Sequence, residues 1–450
     1  MSARASEELA QLGEPLIVRV GSVEQVLDEI ARHYHIEGLW SHQETAGAWA
    51  SARNRAVARW VKTRGIPWHE LPQNGVVRGL VSRRGWSPRW ESGITMPIVP
   101  RPRSLAALPR LDAGTILDQH ALGLPRDPCP GRESGGRWKG RALLDSFLTR
   151  RGERFHTEPS RPATAYHSCS RLSAHLAFGT WSVRELVQAT RRRKTELNAL
   201  PVEQRGYWVH PLSAFESRLH WHCHFIQKFE SEPMLEFENE HRGWDGLREH
   251  EFRRNRFEAW RGGATGYPFV DACMRALNQT GWINFRMRAV PATFASYHLW
   301  LHWREPALLM ARRFIDYELG IHYPQMQIQA GTVGTNSPRI YDPVQQSRKP
   351  DPDGAFIRRR VPELANVPDS WIHSPWEMGG VLQDRHDCRI GLHYPRPVVN
   401  HFETARVAGR RLGAARFVSL ERTSSPFLSG GDAEHEHTNT ATRHLSRVAL

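Results

Sequence analysis

Four segments of this chain carry side chains whose types and spacing could do chemistry. In SCSRLSAHLAFGTWS (168–182), Ser170 and Ser173 flank Arg171 ahead of a helix. Small hydroxyls and free N–H groups at such a start favour an anion such as a phosphate, although an ordinary N-cap uses the same residues. In SAFESRLHWHCHFIQKF (213–229), His220, His222, Cys223 and His224 raise the question of a metal. On a helix His220 and His224 share a face while His222 points elsewhere, and only Glu216 offers a third ligand, so no metal site is expected. Trp221, in the same segment, could stack on a ring or a base, or could fill a core. In segment 260–303 an ATGYP turn precedes an amphipathic helix, and a second helix carries Arg286 and Arg288 on different faces. One arginine could meet a phosphate outside while the other pairs inside; two solvated arginines would read the same. In segment 314–364, Asp316 and Glu318 lie beside His322 in a glycine-broken, loop-like stretch. Two carboxylates and a histidine suit acid–base work or capture of ribose and ring N–H groups, and a surface loop would carry them too.

The elements that must position these groups change character along the chain. The 450 residues suggest two or three domains at roughly 100–200 residues each. LIVRV (Leu16–Val20) reads as a short buried strand, followed by a helix from Gly21 and Ser22 through Ile30. GLWS (Gly38–Ser41) and Ile66–Glu70 read as two further strands around a long helix, Ala48–Arg64, closed by Gly65. Alternating strands and helices imply a parallel sheet, incomplete at three strands. Residues 97–136 are rich in Pro, Arg and Gly and read as a linker. After Trp138 the apolar spacing is helical: Leu143–Leu148, Ser182–Arg193, Ser213–Phe229, Pro268–Gln279, Phe285–Trp300 and Pro306–Asp316. From about Thr423 the chain turns polar and is expected to be disordered; His435 and His437 there suit a solvated tail better than a metal.

Composition narrows the function classes. The net charge is +14 and the cations are mostly Arg, whose forked donors match phosphate, so a polyanion partner or an Arg-rich solvated surface both fit. The five cysteines are scattered without a CxxC pair, which argues against a disulfide framework or a cysteine-held metal. No apolar run reaches the roughly 18 residues of a membrane span, and the N-terminus lacks a secretory stretch, so a cytoplasmic location is expected.

Taken together and in order, SRLSAHLAFG, GYPFVDACMRALNQTGW, RMRA, RIYDPVQQ, DPDGAFIRR and VPEL resemble the FAD-binding helical domain of photolyases and cryptochromes over roughly residues 138–400. The N-terminal region resembles that family's antenna domain, with the first strand and first helices of that domain lacking. The fold implied is a partial Rossmann-like α/β parallel sheet (1–96), a linker (97–136), a large all-α FAD-binding domain (137–400) and a C-terminal extension (401–450).

The resemblance implies a U-shaped FAD. Cys169, Ser170, Arg171, Leu172 and Ser173 would hold its diphosphate and ribityl chain, with Cys169 standing where the family has Thr. Phe215, His222, Asn284, Phe285, Arg288, Asp316, Glu318 and His322 complete the implied cofactor set. Arg288 would pair with Asp316. His222 replaces an Arg, and Asn284-Phe285 replaces His-Asn or Asn-Asn. His322 replaces an Asn or Asp at the flavin and so bears on which flavin redox state is stable.

UV-damaged DNA is the implied partner, with Arg218, Trp221, Arg286 and Arg339 as DNA-binding residues and Trp221 stacking on an extruded dimer. Arg218 replaces a lesion-binding Glu, and the paired histidines of the (6-4) enzymes are lacking. Of the family's three electron-carrying tryptophans, Trp303 matches the middle one, while Met326 and His250 replace the other two. Trp282, Tyr297, Trp300 and Tyr323 are alternative stations. Trp221, His322 and Trp303 form the implied catalytic set. The expectation is a monomeric, light-driven deoxyribodipyrimidine photolyase-like lyase. A cryptochrome-like photoreceptor without repair is the alternative, and a relative that has lost FAD is the third reading. No antenna chromophore is expected, or only weak binding through His42 to Glu44.

Overall fold

The computed structural model describes residues 2–80, 82–108, 111–334 and 339–423, without the side chains of 2–4 and 416–423. The polar tail beyond 423, with His435 and His437, lies outside the described residues.

In the N-terminal region helix α1 (Val23–His33) is capped by Ser22, whose side chain accepts the amide of Gln25, and packs on helix α2 (Ala48–Arg64). Helix α2 stops where Gly65 adopts a left-handed φ of 66°, a conformation that costs glycine little. Strands β1 (Leu39–His42) and β2 (Trp68–Leu71) pair in parallel, Leu39 opposite Trp68. The expected strand Leu16–Val20 does not form. Its Val18 amide donates to the carbonyl of Ala113 at 2.8 Å and Arg19 reaches the carbonyl of Asp112 at 2.9 Å. The neighbour it meets is irregular chain, which offers no ladder to extend.

Helix α3 (Trp86–Thr95) leaves this unit and buries Trp86, Trp90 and Ile94 in a core shared with helices α4 (Arg137–Thr149), α5 (Val183–Asn198) and α6 (Val209–Ser231). Between them, residues 97–136 carry no helix or strand among the described residues. They are stitched instead. Leu105 donates to Leu12 O, Gly131 donates to Gln279 O, and Asp127 pairs with Arg313.

The main core lies in the helical body around Trp260, Phe269, Trp303 and Ile357. It is built from helices α7 (Pro268–Thr280), α8 (Phe285–Thr293), α9 (Arg304–Arg313) and α10 (Leu319–Ala330). Two expectations fail here. The helix expected over Phe285–Trp300 ends at Thr293 and passes into a wide π turn, Phe294–His298; Pro291 lacks the N–H that would continue the ladder. The loop expected around His322 is α10, which begins after Glu318 and contains both Gly320 and Pro324. A Cβ on Gly320 would lie 2.9 Å from the Cα of Ile226, so glycine lets α10 close on α6. Helix α11 (His401–Thr423) seats Ala408 and Leu412 on Trp244, Tyr297 and Trp300.

Candidate functional site

Helices α6, α8 and α10 and the loop 169–173 bring distant residues to one concavity. Asn284 caps α8 by accepting the Met287 amide at 2.9 Å, which fixes the first turn of the helix and with it Arg288. Arg288 then pairs with Asp316 at 2.6 Å and also donates to the carbonyl of Ile283. The Asp316 side chain is 2% exposed. Arg286, on the other face, is partly buried and donates to Gln346 at 3.2 Å. The inward pairing expected of one of these two arginines is found at Arg288.

Cys169 lies within electrostatic reach of Arg171, Arg151, Arg218 and Arg288, which ties the 169–173 loop to α6 and α8. Burial pushes its thiol up to about 12 despite those cations. Arg171 has a φ of 64°, and its guanidinium is sandwiched between Tyr166 and Trp282 at 3.7 and 4.2 Å and paired with Glu133 at 2.9 Å. Ser173 opens a short helix, Ser173–Ala177, without a side-chain cap, so these serines are not the N-cap that the bland reading offered. The true capping box is Ser182 with Glu185, at the start of α5.

Arg218, His222 and Glu318 are hemmed in by protein yet open to solvent, as groups lining a concavity are. The same desolvation lowers the Arg218 guanidinium, holds His222 down to about 4, so neutral at pH 7, and raises Glu318 to about 7. His322 is buried, donates from Nε2 to the Ala307 carbonyl at 2.8 Å, and is likewise held to about 4 by burial. Its ring meets Tyr317 and Tyr323, each with centroids 5.4 Å away, and Tyr323 meets Trp303 at 5.9 Å. Trp303 is fully buried and donates to Asn239 at 2.8 Å. Met326 is buried in the same core and His250 is exposed.

Other expected residues sit differently. Leu172 and Phe215 are core side chains, the latter packed on Phe147 and Phe155, so only their backbone could meet a ligand. Phe285 is 50% exposed. Trp221 is half-buried against His224 and Phe225, and Arg339 is exposed. His220 packs on Trp86 and Trp90 and meets the Ser87 hydroxyl. Among the described residues no group of three or more His, Cys, Asp or Glu side chains could hold a metal. In the N-terminal region His42 is exposed and Glu44 is tied to Arg53 at 2.5 Å. Two open clefts of 530 and 550 Å³, beside Thr95 and beside Phe252, share no lining residue with the concavity. Arg151, Glu133 and Tyr166 belong to the site's framework and no motif pointed to them, since a bare Arg-Arg pair or a linker glutamate has no distinguishing spacing.

The fit of a flavin dinucleotide can be judged from groups left over. Asn284 Nδ2 and Asp316 Oδ1 are buried without a partner among the described residues, one a donor and one an acceptor. Of the four arginines around Cys169, Arg171 and Arg288 have carboxylate partners, while Arg151 and Arg218 have none among the described residues. The surplus of guanidinium over carboxylate around Cys169 matches an anion such as a diphosphate, and the orphaned donor and acceptor match the polar edge of a flavin. The residues present fit the group.

Comparison with known proteins agrees. Residues 215–414 match the family model described as the FAD binding domain of DNA photolyase, and residues 3–81 match that described as DNA photolyase. A cryptochrome DASH of Gloeobacter violaceus is 30% identical over 417 residues, covering 88% of this chain and 81% of that protein. A deoxyribodipyrimidine photo-lyase of Streptomyces griseus is 33% identical over 330 residues, covering 71% of this chain and 65% of the relative. The crystal structure of a class III photolyase from Agrobacterium tumefaciens superposes with a TM-score of 0.81 at 24% identity, over 92% of this chain and 87% of that one. Among the described residues no helix is long and apolar enough to cross a membrane.

Proposed function

Because the chain belongs to the photolyase and cryptochrome family, we propose that it is a light-driven DNA-repair lyase of the deoxyribodipyrimidine photolyase kind, acting on UV-damaged DNA in the cytoplasm as a monomer. Reduced FAD, when bound, supplies the light absorption and the electron that splits a pyrimidine dimer. The rest falls to this chain's own residues. Ser170 and Ser173 with the 169–173 backbone would hold the diphosphate, while Asn284, Asp316 and Arg288 would hold the flavin edge. His222, neutral and half-buried, and Glu318, near its titration point at pH 7, would line the same concavity. His322, held neutral by burial, would place no positive charge near the flavin.

On the DNA side, Trp221 would stack on the extruded lesion, and Arg286 and Arg339 would grip flanking phosphates, offsetting the cost of extrusion. Arg218, which the family resemblance sets in the place of a lesion-binding Glu, would favour an anionic group over a neutral base edge. With Met326 and His250 at two electron-relay positions, the ring contacts from Trp303 through Tyr323 to His322 offer the aromatic route to the pocket.

The observation that carries this reading is the convergence of loop 169–173, Asn284 and Arg288, and the 316–322 segment around unpaired polar atoms. The test is blue-light illumination of purified protein carrying reduced FAD with an oligonucleotide containing one defined dimer; intact thymines should appear, with binding that weakens steeply as salt rises. Protein that keeps FAD and leaves the dimer unsplit excludes repair. The replaced relay residues and the similarity to a cryptochrome DASH favour a photoreceptor as the second reading. That reading expects flavin photoreduction without lesion binding.

A further inference from the structure

Beyond the residues that would touch the cofactor, we propose that Arg151 is the positioning residue that gives the 169–173 loop its anion-binding shape; this rests on the FAD reading above. Arg151 begins a short 3-10 turn after α4, outside every motif the sequence suggests. An arginine has five N–H donors. Here all five are spent inside the protein. Nε donates to Ser146 Oγ at 2.9 Å; Nη1 to the carbonyls of His167 and Cys169 at 2.8 and 2.6 Å; Nη2 to the carbonyls of Leu143 and Ser170 at 3.0 and 3.3 Å. The guanidinium therefore has no donor left for a ligand, and it spans from the end of α4 to the loop.

What this clamp does follows from the planarity of the peptide. In a trans peptide the carbonyl of one residue and the N–H of the next point opposite ways. Drawing the Cys169 and Ser170 carbonyls to Arg151 turns the N–H groups of Ser170 and Arg171 away from it. Neither amide has an acceptor among the described residues. Arg171 then takes a φ of 64°, and Leu172 follows in the right-handed region at φ −90°, ψ −4°. A left-handed residue followed by a right-handed one curves successive N–H groups toward one side, the geometry that binds anions. The strained Arg171 backbone is held by its side chain, stacked between Tyr166 and Trp282. Arg151 makes no carboxylate ion pair among the described residues, and its charge, offset only by the nearby Glu133, also reaches the loop.

The experiment compares FAD with riboflavin, which lacks the diphosphate, on the full chain freed of flavin. Dissociation constants of both are measured by flavin fluorescence for the wild type, Arg151→Lys and Ser146→Ala, with thermal melting of each protein. Lys keeps the charge and loses the fork. R151K is expected to weaken FAD by about tenfold to a hundredfold and riboflavin by less than about threefold. S146A, which frees Nε alone of the five Arg151 donors and removes the hydroxyl's own bond to the Leu143 carbonyl, should lower the FAD-to-riboflavin preference by about threefold. Unchanged FAD affinity in R151K, or equal weakening of both ligands, overturns the proposal. If R151K does not fold, S146A decides: an unchanged preference overturns the proposal. A wild type that binds no FAD sinks the proposed function instead, a result distinct from all of these.

Discussion

The helical body and the N-terminal region solve the problem of burial at different scales. In the body Trp260, Trp303 and Ile357 are wholly inaccessible and belong to one continuous core running from Trp260 to Val399. The N-terminal cluster rests on Val57, Trp60 and Val61, with its other members only partly covered. Trp40 is 63% exposed and Trp49 77%. A parallel sheet is normally covered on both faces, yet the outer row Trp40, His42, His69 and Leu71 is open. The smaller unit leans on the body through α6: Gln227 exchanges two hydrogen bonds with the Val77 backbone, at 2.7 and 3.1 Å, and the Gly75 amide reaches Cys223. The lesson is one of dependence. The body encloses its own core, and the N-terminal region braces the helix that presents Arg218, Trp221 and His222.

Substitutions can break or sharpen that contrast. The largest effect belongs to Ile357→Ala, which opens a cavity where no solvent reaches and should cost about 2–5 kcal/mol in urea denaturation. A loss under about 1 kcal/mol would mean the body core is looser than its burial implies. Gln227→Ala should cost about 1–3 kcal/mol, because it leaves the Val77 amide and carbonyl unpaired. Limited proteolysis should then cut the N-terminal region before the body; simultaneous loss of both would contradict the bracing role.

Glu318 gives a third, smaller effect. Its pKa is raised by burial to about 7, so the folded state binds a proton that the unfolded chain releases nearer pH 4.5. Stability contributed by this group therefore falls as pH rises through that window. His222 and His322, held to about 4, act oppositely between pH 4 and 6.5 and cancel when wild type and Glu318→Gln are compared. The variant's advantage should grow from pH 4.5 to 7 by on the order of 1–2 kcal/mol, discounted for partial solvent access. A pH-independent difference in flavin-free protein rules this out. Trp49→Ala, at the open end of the scale, should change stability by less than about 0.5 kcal/mol. A larger loss, read by thermal melting, would show that the exposed tryptophan is covered by something in solution.

The sequence was most legible where local signals and tertiary packing agree. Helix α2 runs over the expected Ala48–Arg64 and ends at Gly65 for the expected reason. Helix α10 was hidden because Gly320 and Pro324 look like breakers; the glycine is there for close approach to Ile226, information that only the partner helix holds. Leu16–Val20 has strand composition, but composition cannot supply a neighbouring ladder. The Arg288–Asp316 pair was legible through family resemblance, while the saturated guanidinium of Arg151 depends on five acceptors scattered over residues 143–170 and leaves no trace in spacing.

The linker has a consequence of its own. Among the described residues, 97–136 carry no helix or strand, yet they are fastened to Leu12 and Val18 at one end and to Gln279, Arg313 and Arg171 at the other. A protease nick in the exposed stretch between Gly114 and Asp127 would sever the covalent thread without releasing either half. The nicked molecule should travel as one particle through a sizing column and fall into two fragments only when denaturant dissolves the seams.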